Sequence, residues 1–403
     1  MGHLHSKADK FAYINLAFLL LLSIKAYPRW FMPSGVYQTF FIITTGISLI
    51  MLNPVIEKGS FKLRMLVLVF LYAVFFNLPI IHEFRPGYFL DSIIFLELLL
   101  LPASVFSDAF IFLRKVFYWV SIFAIIMWVI HILGVELPHY TLKGGEIGAN
   151  IRHYYHIYGP VVSLFYGEAT ERVCGVFAEP GHFGIYIGLM MAINKFRFDS
   201  KEDVIMLIAG ILTFSTAFFG IIGLGMIYKF ILSRDDNNDY RKLIPVFLLA
   251  TMVIVSSNTI QEVVIGRVVE GRQVSSVNDL VENRVQQTTR RHYEKLLKSN
   301  KIWVGEGQTE TDVVQETNWR GGVYRYGILG MIIFICLILN IVSIVPLKYQ
   351  LLLLSITALI MSHRIYQLFY TGLPYLIYTA ALLNSKTEFG EYNNDDSNII
   401  EEL

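Results

Sequence analysis

Long apolar runs separated by short polar breaks repeat along almost the whole chain. They cover residues 11–27, 36–53, 63–81, 88–106, 115–134, 178–194, 203–215, 217–232, 243–259, 323–345, 350–362 and 366–384. A hydrocarbon core about 30 Å thick takes about 20 apolar residues of helix to cross. Only structures that satisfy their own backbone hydrogen bonds survive there, so the pattern predicts an all-α, polytopic helical membrane protein with about 12 transmembrane helices. The seventh and eighth runs are continuous in hydropathy, and the turn between them is placed near Phe214-Ser215-Thr216. A single long helix there would reverse the orientation of everything downstream. The first run lacks a small-residue cleavage site and reads as a retained span, not a removed signal.

Two long polar stretches interrupt the runs, and charge shows where they lie. One set of short loops carries Lys7, Lys10, Lys58, Lys62, Arg64, Arg114, Lys115, Lys195, Arg197, Lys201, Lys229, Arg234, Arg241, Lys242, Lys348 and Lys386. The opposite set carries only Lys25, Arg29, Arg85 and Arg364. The cation-rich side is cytoplasmic, so both termini are expected inside and both long stretches outside. The chain then divides into helices 1–5 (1–134), a first outer loop (135–177), helices 6–9 (178–260), a large outer loop (261–322), helices 10–12 (323–385) and a polar, acidic tail (386–403) expected to be disordered. Charged residues make up 16% of the 403 residues, and 55% are hydrophobic. A soluble protein carries about 25% charged residues. The net charge of +1 says nothing about partners; only its distribution does. Cys174 and Cys336 fall at a membrane boundary and inside a span, and are not expected to pair.

The large outer loop is cationic in its first half: Arg267, Arg272, Arg284, Arg290, Arg291, Lys295, Lys298 and Lys301. Between Asn278 and Asn300, Val281, Val285, Thr288, His292 and Leu296 recur at helical spacing, and Arg284, Arg291, Lys295 and Lys298 form a stripe beside them. Arg290 flanks that stripe. Such a helix could lie along the outer interface, or its cations could clamp a lipid-linked pyrophosphate, since Arg offers planar paired donors that match phosphate oxygens. Residues 302–316 carry no Lys or Arg but hold Glu306, Glu310, Asp312 and Glu316.

In the first outer loop, His153-Tyr154-Tyr155-His156-Ile157-Tyr158 is rich in aromatic rings. These suit stacking on sugars, and equally an interfacial aromatic belt, which is the reading adopted. No carboxylate or Cys completes a metal set around the two histidines, and no metal or other cofactor is expected. Next comes Arg172-Val-Cys-Gly-Val-Phe-Ala-Glu-Pro-Gly-His-Phe-Gly184. Pro180 suits a first helical turn, and Gly175, Gly181 and Gly184 permit close backbone approach. Arg172 and Glu179 would stand above the mouth of the sixth span, with His182 one turn inside. Ionisable groups at membrane depth are functional candidates.

Arg-x-x-Gly-x-Phe-x-Glu-Pro running into a span resembles the outer-loop motif of the O-antigen polymerase and ligase superfamily. Trp303-Val304-Gly305-Glu306-Gly307 resembles its G-x-G segment, and Glu316-Thr317-Asn318 … Tyr326-Gly327-Ile328-Leu329-Gly330 resembles its H-N … Y-G-I-x-G run. The resemblance covers the organisation from about residue 170 to 345, in order and spacing. It implies a GT-C-like membrane glycosyltransferase. The Wzy-type polymerases of this superfamily join undecaprenyl-pyrophosphate-linked oligosaccharide repeats at the periplasmic face of the bacterial inner membrane, sometimes with a chain-length regulator as partner. Thr317 stands where the ligases have His, which weakens a ligase reading more than a polymerase one.

On that implication Arg172, Arg284, Arg290, Arg291 and Arg364 are candidate pyrophosphate contacts. Glu179 or Glu316 is the candidate base, and Asn318, Arg320 and His182 orient the acceptor or the loop. The leaving pyrophosphate gathers negative charge, which arginines stabilise. Transfer of glycan to lipid A-core by a ligase, and transport of the lipid-linked repeat by a flippase, are the competing readings. Nearly charge-free spans with the polar mass in outer loops argue against the flippase. Nothing points to nucleic acid.

Overall fold

The computed structural model describes residues 6–23, 26–52, 60–77, 97–143, 154–165, 172–229, 293–306, 319–364 and 372–385. The chain is mostly helical. Helix α1 is Lys7–Ser23, followed by a 3-10 turn at Tyr27–Phe31, α2 at Ser34–Leu52 and α3 at Ser60–Asn77. A short α4, Glu97–Leu100, precedes the long α5, Ala103–Ile132. Four strands follow: β1 (Tyr140–Lys143), β2 (Tyr154–Tyr158), β3 (Val161–Phe165) and β4 (Arg172–Val173). Then come α6 (Pro180–Ile193), α7 (Lys201–Leu212), α8 (Thr216–Ile227), a 3-10 turn at Asn300–Trp303, α9 (Trp319–Val342), α10 (Leu347–Arg364) and α11 (Gly372–Leu383).

Among the described residues, three helical stretches, Gly35–Leu52, Ala103–His131 and Trp319–Val342, are long and apolar enough to cross a membrane, and several shorter helices are apolar. The burial pattern is that of a protein in lipid. On α2 the exposed stripe is Val36, Phe40, Ile43, Ile47 and Ile50, at spacings of four and three. Its buried face holds Tyr37, Phe41, Thr45 and Ser48, which is the more polar set. In water this arrangement would leave a large apolar patch uncovered. Helix α9 does the same, exposing Leu329, Ile332, Ile335 and Leu339 while burying Asn340.

The chain forms two compact units. In the first, α1 packs on α2 and α11, and α3 packs on α9, which also meets α10 and α11. Arg64 and Lys62, expected in a loop, stand instead in the first turns of α3. Arg64 Nε donates to Asn340 Oδ1 at 2.8 Å and Lys62 Nζ to the Tyr378 hydroxyl at 3.2 Å, joining α3 to α9 and α11.

The second unit contains the later part of α5, the strands and α6 to α8. Helix α6 is buried on nearly all sides, as befits a helix that is apolar all round. A Cβ on Gly184 would come within 2.9 Å of Ser215 Cβ and Thr213 Oγ1, so glycine sets the approach of the α7–α8 turn to α6. That turn falls where the sequence places it. Phe214 takes φ 47°, and the Ser215 side chain accepts a hydrogen bond from Phe218 N, capping α8. Arg114, on α5, bonds to Asp203 Oδ2 at 2.8 Å and to Ser200 Oγ at 2.6 Å on α7.

Two expectations need correction. The segment expected to form the first outer loop is not free of strands: β1 to β4 form an antiparallel sheet in that order, so the protein is not all-α. The reason is an alternation hidden in the aromatic run. Tyr155 points inward with Leu142 and Val162, against Tyr27, Trp30 and Ala178, while Tyr154 is exposed. Helix α5 also begins at Ala103, so Arg114 and Lys115 are helical. The break between the fourth and fifth runs lies at Leu101-Pro102, where proline disfavours helix in the residue before it. The ninth run, 243–259, lies outside the described residues.

Candidate functional site

The segments that carry the late motifs lie against each other in the first unit. Gly305 closes the 3-10 turn at Asn300–Trp303 with φ 78°, its N–H bonded to Lys301 O at 2.6 Å. In α9, Gly327 adopts φ 65° and ψ −176°, which breaks the helix into Trp319–Tyr326 and Ile328–Val342. That conformation belongs almost solely to glycine. In a continuous helix Tyr324 O would accept from residue 328; here it accepts from Glu306 N at 2.7 Å. A Cβ on Gly305 would fall on the Arg325 carbonyl, and one on Gly327 on the Trp303 carbonyl. Two backbones therefore meet where side chains cannot fit.

Arg325 sits at this break and is 7% exposed. Its neighbours Tyr324 and Tyr326 are buried too, and Tyr326 packs with Phe75, Tyr72, Val304 and Ile333. Irregular backbone at membrane depth is tolerated where protein encloses it or it lines a cavity. A charged group beside such a break is a functional candidate. Sequence reasoning missed Arg325, although it falls within the expected span 323–345; a charge inside an apolar run was the available signal. Close by, Lys301 Nζ and Glu306 Oε2 form an ion pair at 2.6 Å.

Arg320 lies over Trp319 at 5.6 Å and Tyr293 at 6.0 Å, and those two rings meet edge to face. It thus ties the helical turn at 293–297 to the start of α9. Leu296 is buried there while Lys295 and Lys298 are exposed, as the stripe requires.

In the second unit, residues 172–182 connect the sheet to α6. Arg172 pairs with Leu164 across β4 and β3. Gly175, at φ 58°, lies under the Phe183 ring, and its carbonyl accepts from Val162 N at 2.7 Å. Glu179 is the N-cap residue of α6, and Pro180 follows in the first turn. Its carboxylate stands near the positive end of the helix dipole, 3.9 Å from His182 Nε2. Glu179, expected above this mouth, and His182, expected one turn inside it, are therefore brought together, and both are partly open to solvent.

Arg284, Arg290, Arg291, Glu316 and Asn318 lie outside the described residues, and Arg364 ends α10. Glu97 is a second charged group that sequence reasoning passed over. It is 1% exposed in the first unit; Thr45 Oγ1 donates to one carboxylate oxygen and the Tyr375 hydroxyl to the other at 3.3 Å. Among the described residues, no three His, Cys, Asp or Glu side chains form a metal-binding set. Cys174 and Cys336 are both free thiols. Comparison of the chain with family models, with curated proteins and with solved structures finds no match in any of the three.

Proposed function

We propose that the chain is a glycosyltransferase that polymerises undecaprenyl-pyrophosphate-linked oligosaccharide repeats at the periplasmic face of the bacterial inner membrane. One observation carries this reading. The Trp303–Glu306 segment and the Tyr326–Gly330 run, both singled out by the motif resemblance, pack backbone to backbone at a helix break that buries Arg325. A cation there suits a reaction whose leaving group is a pyrophosphate, because charge developing in the transition state is best met by donors already in place. Arg172, Arg284, Arg290, Arg291 and Arg364 are the further phosphate candidates. Glu179 or Glu316 takes the acceptor hydroxyl proton, and His182, Asn318 and Arg320 position the loops.

The test is polymerisation by purified protein in nanodiscs supplied with lipid-linked repeats and no ion gradient. Wild type should yield a ladder of products, and Arg172→Ala should insert normally yet give single repeats. Full-length polymer from Arg172→Ala would overturn the assignment. Transfer of glycan to lipid A-core without chain growth would make the protein a ligase, and translocation alone would make it a flippase.

A further inference from the structure

The end of α5 and the sheet of the second unit border an open cleft of about 120 Å³ that the proposed chemistry does not use. Its apolar lining includes Ile130 and the exposed Val135, and its polar groups are His131, Glu136, His139, His156 and Tyr158. The pattern is that of a small-molecule site: an apolar surface with a few converging polar atoms. Typical pockets for drug-sized ligands are about 300–1,000 Å³, so this one has room for a single ring.

The walls are held in place. His139 and His156 stack with centroids 3.9 Å apart and planes at 15°. Tyr158 meets His139 at 5.4 Å and His156 edge-on at 6.3 Å. The Leu137 carbonyl can only accept, so His139 Nδ1, 2.9 Å from it, carries a proton and fixes the ring. Strand pairing sets His156 opposite Thr141 and Tyr158 opposite Val161. Burial, with the His139 and His131 rings beside it, pushes His156 down to about 4, so its ring is neutral near pH 7.

The ligand class follows from the charges. Among the described residues that line the cleft there is no Lys or Arg, while Glu136 contributes a carboxylate. A phosphate would be repelled. A ring with C–H faces and hydroxyl edges fits, because aromatic and apolar surface takes the faces while carboxylate, imidazole and phenol groups take the hydroxyls. We propose that this cleft is a saccharide subsite that holds one uncharged sugar ring, its C–H face against Tyr158 and its hydroxyls on Glu136 and His139. Under the proposed function, on which the identity of the glycan rests, the occupant is a sugar of the repeat unit away from the pyrophosphate.

The probe is the phosphate-free oligosaccharide released by mild acid from the host cell's own lipid-linked repeats. Binding to full-length protein in nanodiscs is measured calorimetrically. Wild type should saturate, Tyr158→Ala should bind at least tenfold more weakly, and His139→Ala several-fold more weakly. Tyr140→Ala alters an exposed aromatic of β1 outside the cleft and should bind as wild type does. If Tyr158→Ala fails to fold, the exposed His139→Ala carries the test. Absence of wild-type saturation, or equal loss in Tyr140→Ala, would overturn the subsite and leave an interfacial aromatic belt. Saturable binding without polymerisation would keep the subsite and reject the polymerase. Polymerisation whose kcat and KM are unmoved by His139→Ala and Tyr158→Ala would do the reverse.

Discussion

Gly327 and Arg325 stand two residues apart and show what a single position can reveal. Gly327 is legible in the sequence as part of a short motif, but its reason is physical: at φ 65° and ψ −176° a side chain is strained, and the space a Cβ needs is filled by the Trp303 carbonyl. The strain alone costs about 1–3 kcal/mol. Gly327→Ala should therefore lower the melting temperature in detergent by several degrees and abolish polymer formation. Gly46→Ala is the control. That glycine lies within α2 with nothing inside 4 Å of its missing Cβ, and alanine there adds about 1 kcal/mol of helix propensity. Equal melting of the two variants would mean that the loop does not occupy the break in α9. Arg325 was passed over, because a mean hydropathy over a span averages away the one charge that was there to read. Burying it takes a broken helix, and the break depends on a contact with residues 303–306 that no local pattern encodes.

Among the elements, the α7–α8 turn lies at Phe214-Ser215-Thr216, where the sequence reading places it, and the Ser215 side chain caps α8. The sheet was missed because Tyr, His and Ile in succession look like an interfacial belt, and only pairing with β1 and β3 turns their alternation into an inner and an outer face. The sheet carries its own pH signature. His156 is held near 4, below the ordinary histidine value of 6.5, chiefly by burial. Between those values the unfolded strand binds more protons than the folded one, so stability rises with pH across that window and is fully present above 6.5. The protection factors of the β2 amides, that is, exchange corrected for its intrinsic rate at each pH, should thus be largest above pH 6.5 and fall as the pH drops toward 4. His156→Asn should flatten the dependence in that window, apart from what carboxylates contribute below pH 5. A wild-type profile as flat as the variant's would contradict the burial of His156.

At the scale of the molecule, the decisive quantity is the sign of the environment around the exposed apolar stripes. Sequence hydropathy foresees that the chain spans a membrane, but it does not say which helix faces meet lipid, because both faces of α2 contain large apolar residues. Tertiary packing separates them. Thr45 and Ser48 turn inward, Thr45 donating to Glu97 and accepting from Asn15 Nδ2 at 3.4 Å, while Ile43 and Ile47 turn outward. These polar groups find partners in the bundle or on their own helix, and on α2 the exposed stripe is left more apolar than the buried face. Replacing Ile43 with arginine tests that inversion directly. In water such a change on an exposed face is neutral or improves solubility. In the middle of a lipid-facing stripe it costs about 2.5–3.5 kcal/mol of insertion. Ile43→Arg should therefore cut the yield of membrane-integrated protein several-fold, whereas Met32→Arg, at an exposed position just before α2, should leave it unchanged. Equal yields from the two variants would mean that the α2 stripe meets another protein surface and not lipid.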